Sequence, residues 1–133
     1  MRFSAELIAA GLLGCALAGS SEQATGIDPI GTWQTKSGGS HYDFAYCGED
    51  GARLCARLSW LDATAMTTPA KDELGHYAIK EATHVGADIW KGPLSFQGRT
   101  VDATITFTGP KALTIAGCYF VLCKSFDLVK VSN

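Results

Sequence analysis

His41-Tyr42-Asp43-Phe44-Ala45-Tyr46-Cys47-Gly48-Glu49-Asp50-Gly51-Ala52-Arg53-Leu54-Cys55-Ala56-Arg57-Leu58-Ser59-Trp60 consists of two alternating runs around a turn. In the first, Tyr42, Phe44 and Tyr46 share a face, and in the second Leu54, Ala56, Leu58 and Trp60 do. A period of two with one apolar face marks a half-buried strand, and Gly48 and Gly51 supply the turn between. Placing Cys47 opposite Cys55 pairs Tyr46 with Ala56, Phe44 with Leu58 and Tyr42 with Trp60, so both inner faces are apolar. The same register sets Asp43 against Ser59 and Ala45 against Arg57 on the outside, and a one-residue slip would mix the two faces.

The C-terminal half follows the same logic. Val101, Ala103, Ile105 and Phe107 alternate with Asp102, Thr104, Thr106 and Thr108 until Gly109-Pro110 breaks the run. Cys118 opposite Cys123 pairs Ile115 with Phe126 and Leu113 with Leu128. Tyr119-Phe120-Val121-Leu122 between them holds no turn former. Either an apolar tip is exposed, offering a contact for a partner or a membrane, or the strand runs on and the register fails. Further strands are expected over 31–36, 76–82, 87–96 and 122–131, with a long loop over 62–72. About eight short strands suggest a barrel or a sandwich, and an antiparallel barrel leaves no exposed edges. The expectation is therefore an all-β, roughly eight-stranded antiparallel barrel over residues 30–133.

Upstream, Arg2 precedes the apolar run Leu7 to Gly14, which ends in Ala16-Leu17-Ala18. This is the pattern of a signal peptide over residues 1–18, followed by a flexible linker over 19–29. The run falls short of the roughly 20 residues a membrane-spanning helix needs, and no later segment comes close. Cleavage after Ala18 implies a periplasmic or secreted protein. Leu12-Leu13-Gly14-Cys15 also resembles a bacterial lipobox, which would leave a lipid anchor on Cys15 instead. Past the leader, four of the five cysteines remain: Cys47, Cys55, Cys118 and Cys123. An even number in an exported small domain points to two disulfides, with three connectivities open and strand register favouring Cys47 with Cys55 and Cys118 with Cys123.

With 133 residues, a single domain is indicated, and 47% hydrophobic against 18% charged residues excludes a disordered chain. A formal net charge of -2 argues against nucleic acid as partner. His41, His76 and His84 lack metal-ligand spacing, so no metal or other cofactor is expected. No Gly-x-Ser-x-Gly elbow is present, and Asp43, Glu49, Asp50, Asp72, Glu73 and Asp88 fall mostly in turns, so no enzyme is expected. The aromatic residues remain. Tyr42, Phe44, Tyr46, Trp60 and Trp90, with Trp33, are candidate walls of a pocket for a small hydrophobic ligand. In so short a chain they are first expected to fill the barrel.

Gly31-Thr32-Trp33, Cys47-Gly48, Leu54-Cys55, Trp60-Leu61, Trp90-Lys91-Gly92, the Gly98 turn, Gly117-Cys118 and Leu122-Cys123-Lys124 together resemble the bacterial domain of unknown function family 2147 over nearly all of the mature chain. The resemblance implies an exported, lipocalin-like small barrel with no established activity. It also implies that Trp33 plugs one barrel end, with a cation from the last strand, Lys130 here, packed across it. Many members carry an Asp- and Asn-rich stretch after the Trp-Leu pair; this chain has Asp62-Ala63-Thr64-Ala65-Met66-Thr67-Thr68 instead, so no ligand or metal role of that stretch transfers. The function expected is a non-enzymatic, disulfide-stabilised binding module of the envelope, its partner an envelope protein or a small hydrophobic ligand, with a lipocalin-like carrier as the alternative.

Overall fold

The computed structural model describes residues 26–133. The leader expected over 1–18, Cys15 and most of the linker expected over 19–29 lie outside the described residues. Within them the chain forms β1 (Gly31–Thr35), β2 (Ser40–Cys47), β3 (Arg53–Leu61), a 3-10 turn (Ala63–Ala65), α1 (Thr68–Glu73), β4 (Tyr77–Gly86), β5 (Ile89–Phe96), β6 (Arg99–Gly109), β7 (Ala112–Tyr119) and β8 (Leu122–Ser132). Each strand pairs antiparallel with the next, and β8 closes on β1 to complete an eight-stranded barrel. Closure gives every strand two neighbours and leaves no open edge.

The β7–β8 hairpin has the register expected from its sequence, with Cys118 opposite Cys123, Ile115 opposite Phe126 and Leu113 opposite Leu128. The β2–β3 hairpin differs by two residues: Tyr46 faces Leu54, Phe44 faces Ala56, Tyr42 faces Leu58, and Cys47 faces Arg53. The two-residue shift has a simple cause. A loop closing at Cys47 and Arg53 brings Arg53 and Leu54 into the ladder and buries Leu54 completely, where a loop closing at Cys55 would strand it in solvent. Because the shift is even, the inner and outer faces keep their parity. The Cys47–Cys55 disulfide forms nonetheless, between diagonal neighbours with Cα atoms 5.9 Å apart. Asp43 comes to face Arg57 rather than Ser59 and pairs with its guanidinium at 3.5 Å.

A bulge changes the far end of the same hairpin. His41 lies opposite Trp60 while Tyr42 lies opposite Leu58, so Ser59 is the extra residue and Trp60 turns out of the barrel. The loop expected over 62–72 contains α1, whose N-cap Thr67 accepts a hydrogen bond from the Ala70 amide and whose first turn carries a proline.

Successive hairpins put the β2–β3, β4–β5 and β6–β7 turns at one end, and the β1–β2, β5–β6 and β7–β8 turns at the other. Trp33 closes the first end. It is fully buried, with the rings of Phe107 and Phe44 at 5.4 and 5.9 Å. Its indole Nε1 donates to the Pro29 carbonyl at 3.0 Å, satisfying the ring's one polar group. The Lys130 ammonium lies 5.4 Å from the ring centroid and donates to the Asp28 carbonyl at 3.1 Å.

Candidate functional site: the open end of the barrel

The inward-pointing residues are graded along the barrel axis. Toward the closed end they are large: Trp33, Phe107 and Trp90 join Leu54 and Ile105 in the core. Toward the other end several of the residues that border the lumen are small: Ser40, Ala56, Ala78 and Ser95. Side chains of that size cannot meet across the lumen, and a cavity of about 400 Å³ remains. Of the residues lining it, Phe44, Ala56 and Ile79 are almost fully buried. Leu94, Phe96, Ile115, Phe126 and Leu128 form the walls, and Thr35, Lys36, Ser37, Ser125 and Asp127 form the mouth. The size lies in the lower part of the range usual for small-molecule pockets, about 300–1,000 Å³.

Tyr42 brings a phenol to the chamber wall. The Tyr42 phenol hydrogen-bonds the Ser40 side chain, and burial pushes its pKa above the ordinary 10.0. Ser40 opposes the shift by hydrogen bonding, and the nearby Glu73 carboxylate adds to it. Ser40 is anchored in turn: Thr35 Oγ1 accepts from the Ser40 amide at 3.2 Å and lies 3.3 Å from its hydroxyl. The result is an apolar chamber with a protonated phenol at its wall and small hydroxyls at its mouth. Such a lining can enclose an apolar body and hydrogen-bond a polar head. Tyr42 also borders a more polar cleft of about 380 Å³ against α1, where Asp72, Glu73, His76 and Lys80 lie.

Of the six aromatic residues singled out as pocket walls, the structure brings two, Tyr42 and Phe44, to this cavity, and Trp33 closes the opposite end. Tyr46 shares their face but sits past the closed end, 51% exposed, with its ring 6.3 Å from Trp90. Trp60, turned outward by the bulge, is 44% exposed and packs on His41 at 4.5 Å. Trp90 is buried in the closed half under the stacked ring of His84, 4.4 Å away. The wall residues that sequence reasoning missed are Ile79, Leu94, Phe96, Ile115, Phe126 and Leu128. Alternation marks several of them as inward but carries no information about their height along the axis.

Several of the other polar residues have local partners. His41 Nε2 lies 2.8 Å from Gln34 Oε1, and His84 Nε2 lies 3.2 Å from the Ala87 carbonyl. Asp50 accepts from the Ala52 amide, Asp62 from the Thr64 amide and Asp88 from the Ile27 amide. Among the described residues no helix is long and apolar enough to cross a membrane. Comparison with known proteins finds no matching family model, no matching curated protein and no matching solved structure.

Proposed function

We propose that this domain is a non-enzymatic binding module that carries one small, mainly apolar molecule in the open half of its barrel. The observation behind the proposal is the asymmetry of the lumen: Trp33 stops one end, while the other holds a cavity of about 400 Å³ with apolar walls. A chamber closed at one end shelters an apolar body from water while its mouth leaves the polar head solvated. The Tyr42 phenol supplies orientation, since its oxygen, already held by Ser40, has capacity left to hydrogen-bond the polar head of a ligand. Two disulfides support a place of action outside the reducing cytoplasm. The resemblance to the domain of unknown function family 2147 agrees with the same reading, an exported lipocalin-like barrel.

The test is a titration with a fluorescent fatty acid, paired with a native mass spectrum of the protein as purified. Saturable binding of one probe per chain is expected, and Ala56→Phe, which fills part of the cavity, is expected to abolish it while thermal unfolding stays cooperative. Absence of saturable binding by the wild-type protein, or undiminished binding by the filled variant, contradicts the proposal.

A further inference from the structure

The tip of the β7–β8 hairpin is built against the usual rules for a turn in water. Phe120, Val121 and Leu122 are 85%, 92% and 67% exposed, and the Tyr119 ring beside them packs at a tilt against Phe120, centroids 4.5 Å apart. Phe120 holds a φ of 56°, a left-handed conformation that costs a bulky side chain and that glycine would adopt freely. The neighbouring β5–β6 turn at the same end solves the same geometric problem with Gln97 and Gly98, both at positive φ. The chain thus places a phenylalanine in solvent at a position where it is both strained and unpacked. Backbone strain at an exposed apolar residue is characteristic of a contact site.

The occupant can be argued from shape and charge. Four residues on a hairpin tip cannot supply the roughly 1,200–2,000 Å² that a stable protein interface buries, so a second copy of the chain is a poor match. A lipid surface needs only a small apolar wedge with cations around it. Both are present: the Arg99 guanidinium lies 4.5 Å over the Tyr119 ring, and Lys124 follows the Cys118–Cys123 disulfide that staples the base of the tip. The acidic residues nearest this region are Asp102, on the outer face opposite Cys118, and Asp127 at the cavity mouth opposite Thr114, both on the strands below the tip rather than on it. The groove between the tip and the cavity contains Arg99, Tyr119, Leu122 and Lys124 together with Phe96 and Phe126, which also wall the cavity. We propose that the Tyr119–Leu122 tip inserts into the interface of an anionic bilayer, setting the open mouth of the barrel against the lipid.

The test is co-sedimentation of the whole domain with vesicles of phosphatidylcholine alone and of equimolar phosphatidylcholine and phosphatidylglycerol. The protein is expected to pellet with the anionic vesicles. Phe120→Gly with Val121→Ser removes the wedge and relieves the turn, so binding is expected to fall about tenfold or more with no loss of thermal stability. Arg99→Gln and Lys124→Gln are each expected to weaken it roughly fivefold. Val121→Ser alone, which leaves the strained residue in place, is the companion if the double variant fails to fold, and it too is expected to weaken binding. Wild-type protein left in the supernatant with anionic vesicles overturns the proposal, as does undiminished binding by the tip variants. A tip-dependent dimer without vesicle binding overturns it in favour of self-association. None of these outcomes depends on whether the cavity holds a ligand.

Discussion

At the level of single residues, the barrel depends on positions where one atom decides the fit. A Cβ added at Gly92 would lie 2.7 Å from the Ala82 Cα and 2.9 Å from its Cβ. Neither can move away, since Ala82 is fully buried in the neighbouring strand. Gly92→Ala is therefore expected to destabilise the domain by about 1–3 kcal/mol, read as a lower denaturant midpoint at unchanged m-value. Tyr42 gives a pH signature. Its folded pKa is raised above 10.0 by burial, so the unfolded chain releases the phenolic proton first as pH rises. The stabilisation is fully present below pH 10.0 and is lost as pH climbs from there through the folded pKa. Urea unfolding above and below that pH is expected to show a steeper alkaline loss for wild type than for Tyr42→Phe; equal slopes would contradict the burial of the phenol. Neither effect was legible in the sequence. A glycine in a strand and a tyrosine on an inward face are visible there, but the atoms they meet come from strands brought alongside by closure.

At the level of elements, alternation carried most of the strand assignments, because one face of every strand meets the lumen and the other meets water. It failed where parity alone could not decide. The β2–β3 register moved by two residues to pair Leu54, and the Ser59 bulge turned Trp60 outward, which removed it from the pocket it was expected to wall. Helix α1 was missed for another reason: six residues are too few to display a helical period, although Thr67 before Pro69 is the cap signal that could have found it. The two disulfides sit on different ground. Cys55 is buried beside β4, its Sγ accepting from the Glu81 amide at 3.2 Å, whereas Cys118 and Cys123 are both exposed. Each closes a short loop and is expected to contribute about 2–3 kcal/mol, measured by paired Cys→Ala substitution. Their access to reductant differs, so stepwise reduction with alkylation mapping is expected to open Cys118–Cys123 first. Earlier reduction of Cys47–Cys55 would contradict the packing of β3 against β4.

At the level of the whole molecule, a barrel just wide enough to be filled is filled for half its length. A packed interior was expected because the chain is short and a large cavity costly, and around Trp33, Phe44 and Phe107 that packing is present. What pattern reading could not supply was the sorting of large and small inward residues to opposite ends, since that depends on strand stagger around a closed sheet. The cavity, its Tyr42 phenol and the exposed tip all follow from that sorting and from the direction of the hairpins. The most direct test of a carrier with one open end is a methyl NMR titration of the domain with a medium-chain fatty acid. Saturable shifts are expected at Ile79, Leu94, Ile115 and Leu128, which line the cavity, with Leu54 and Ile105 in the closed half unmoved. Shifts centred on Leu54 and Ile105, or no saturable shift at the four lining residues, would contradict it.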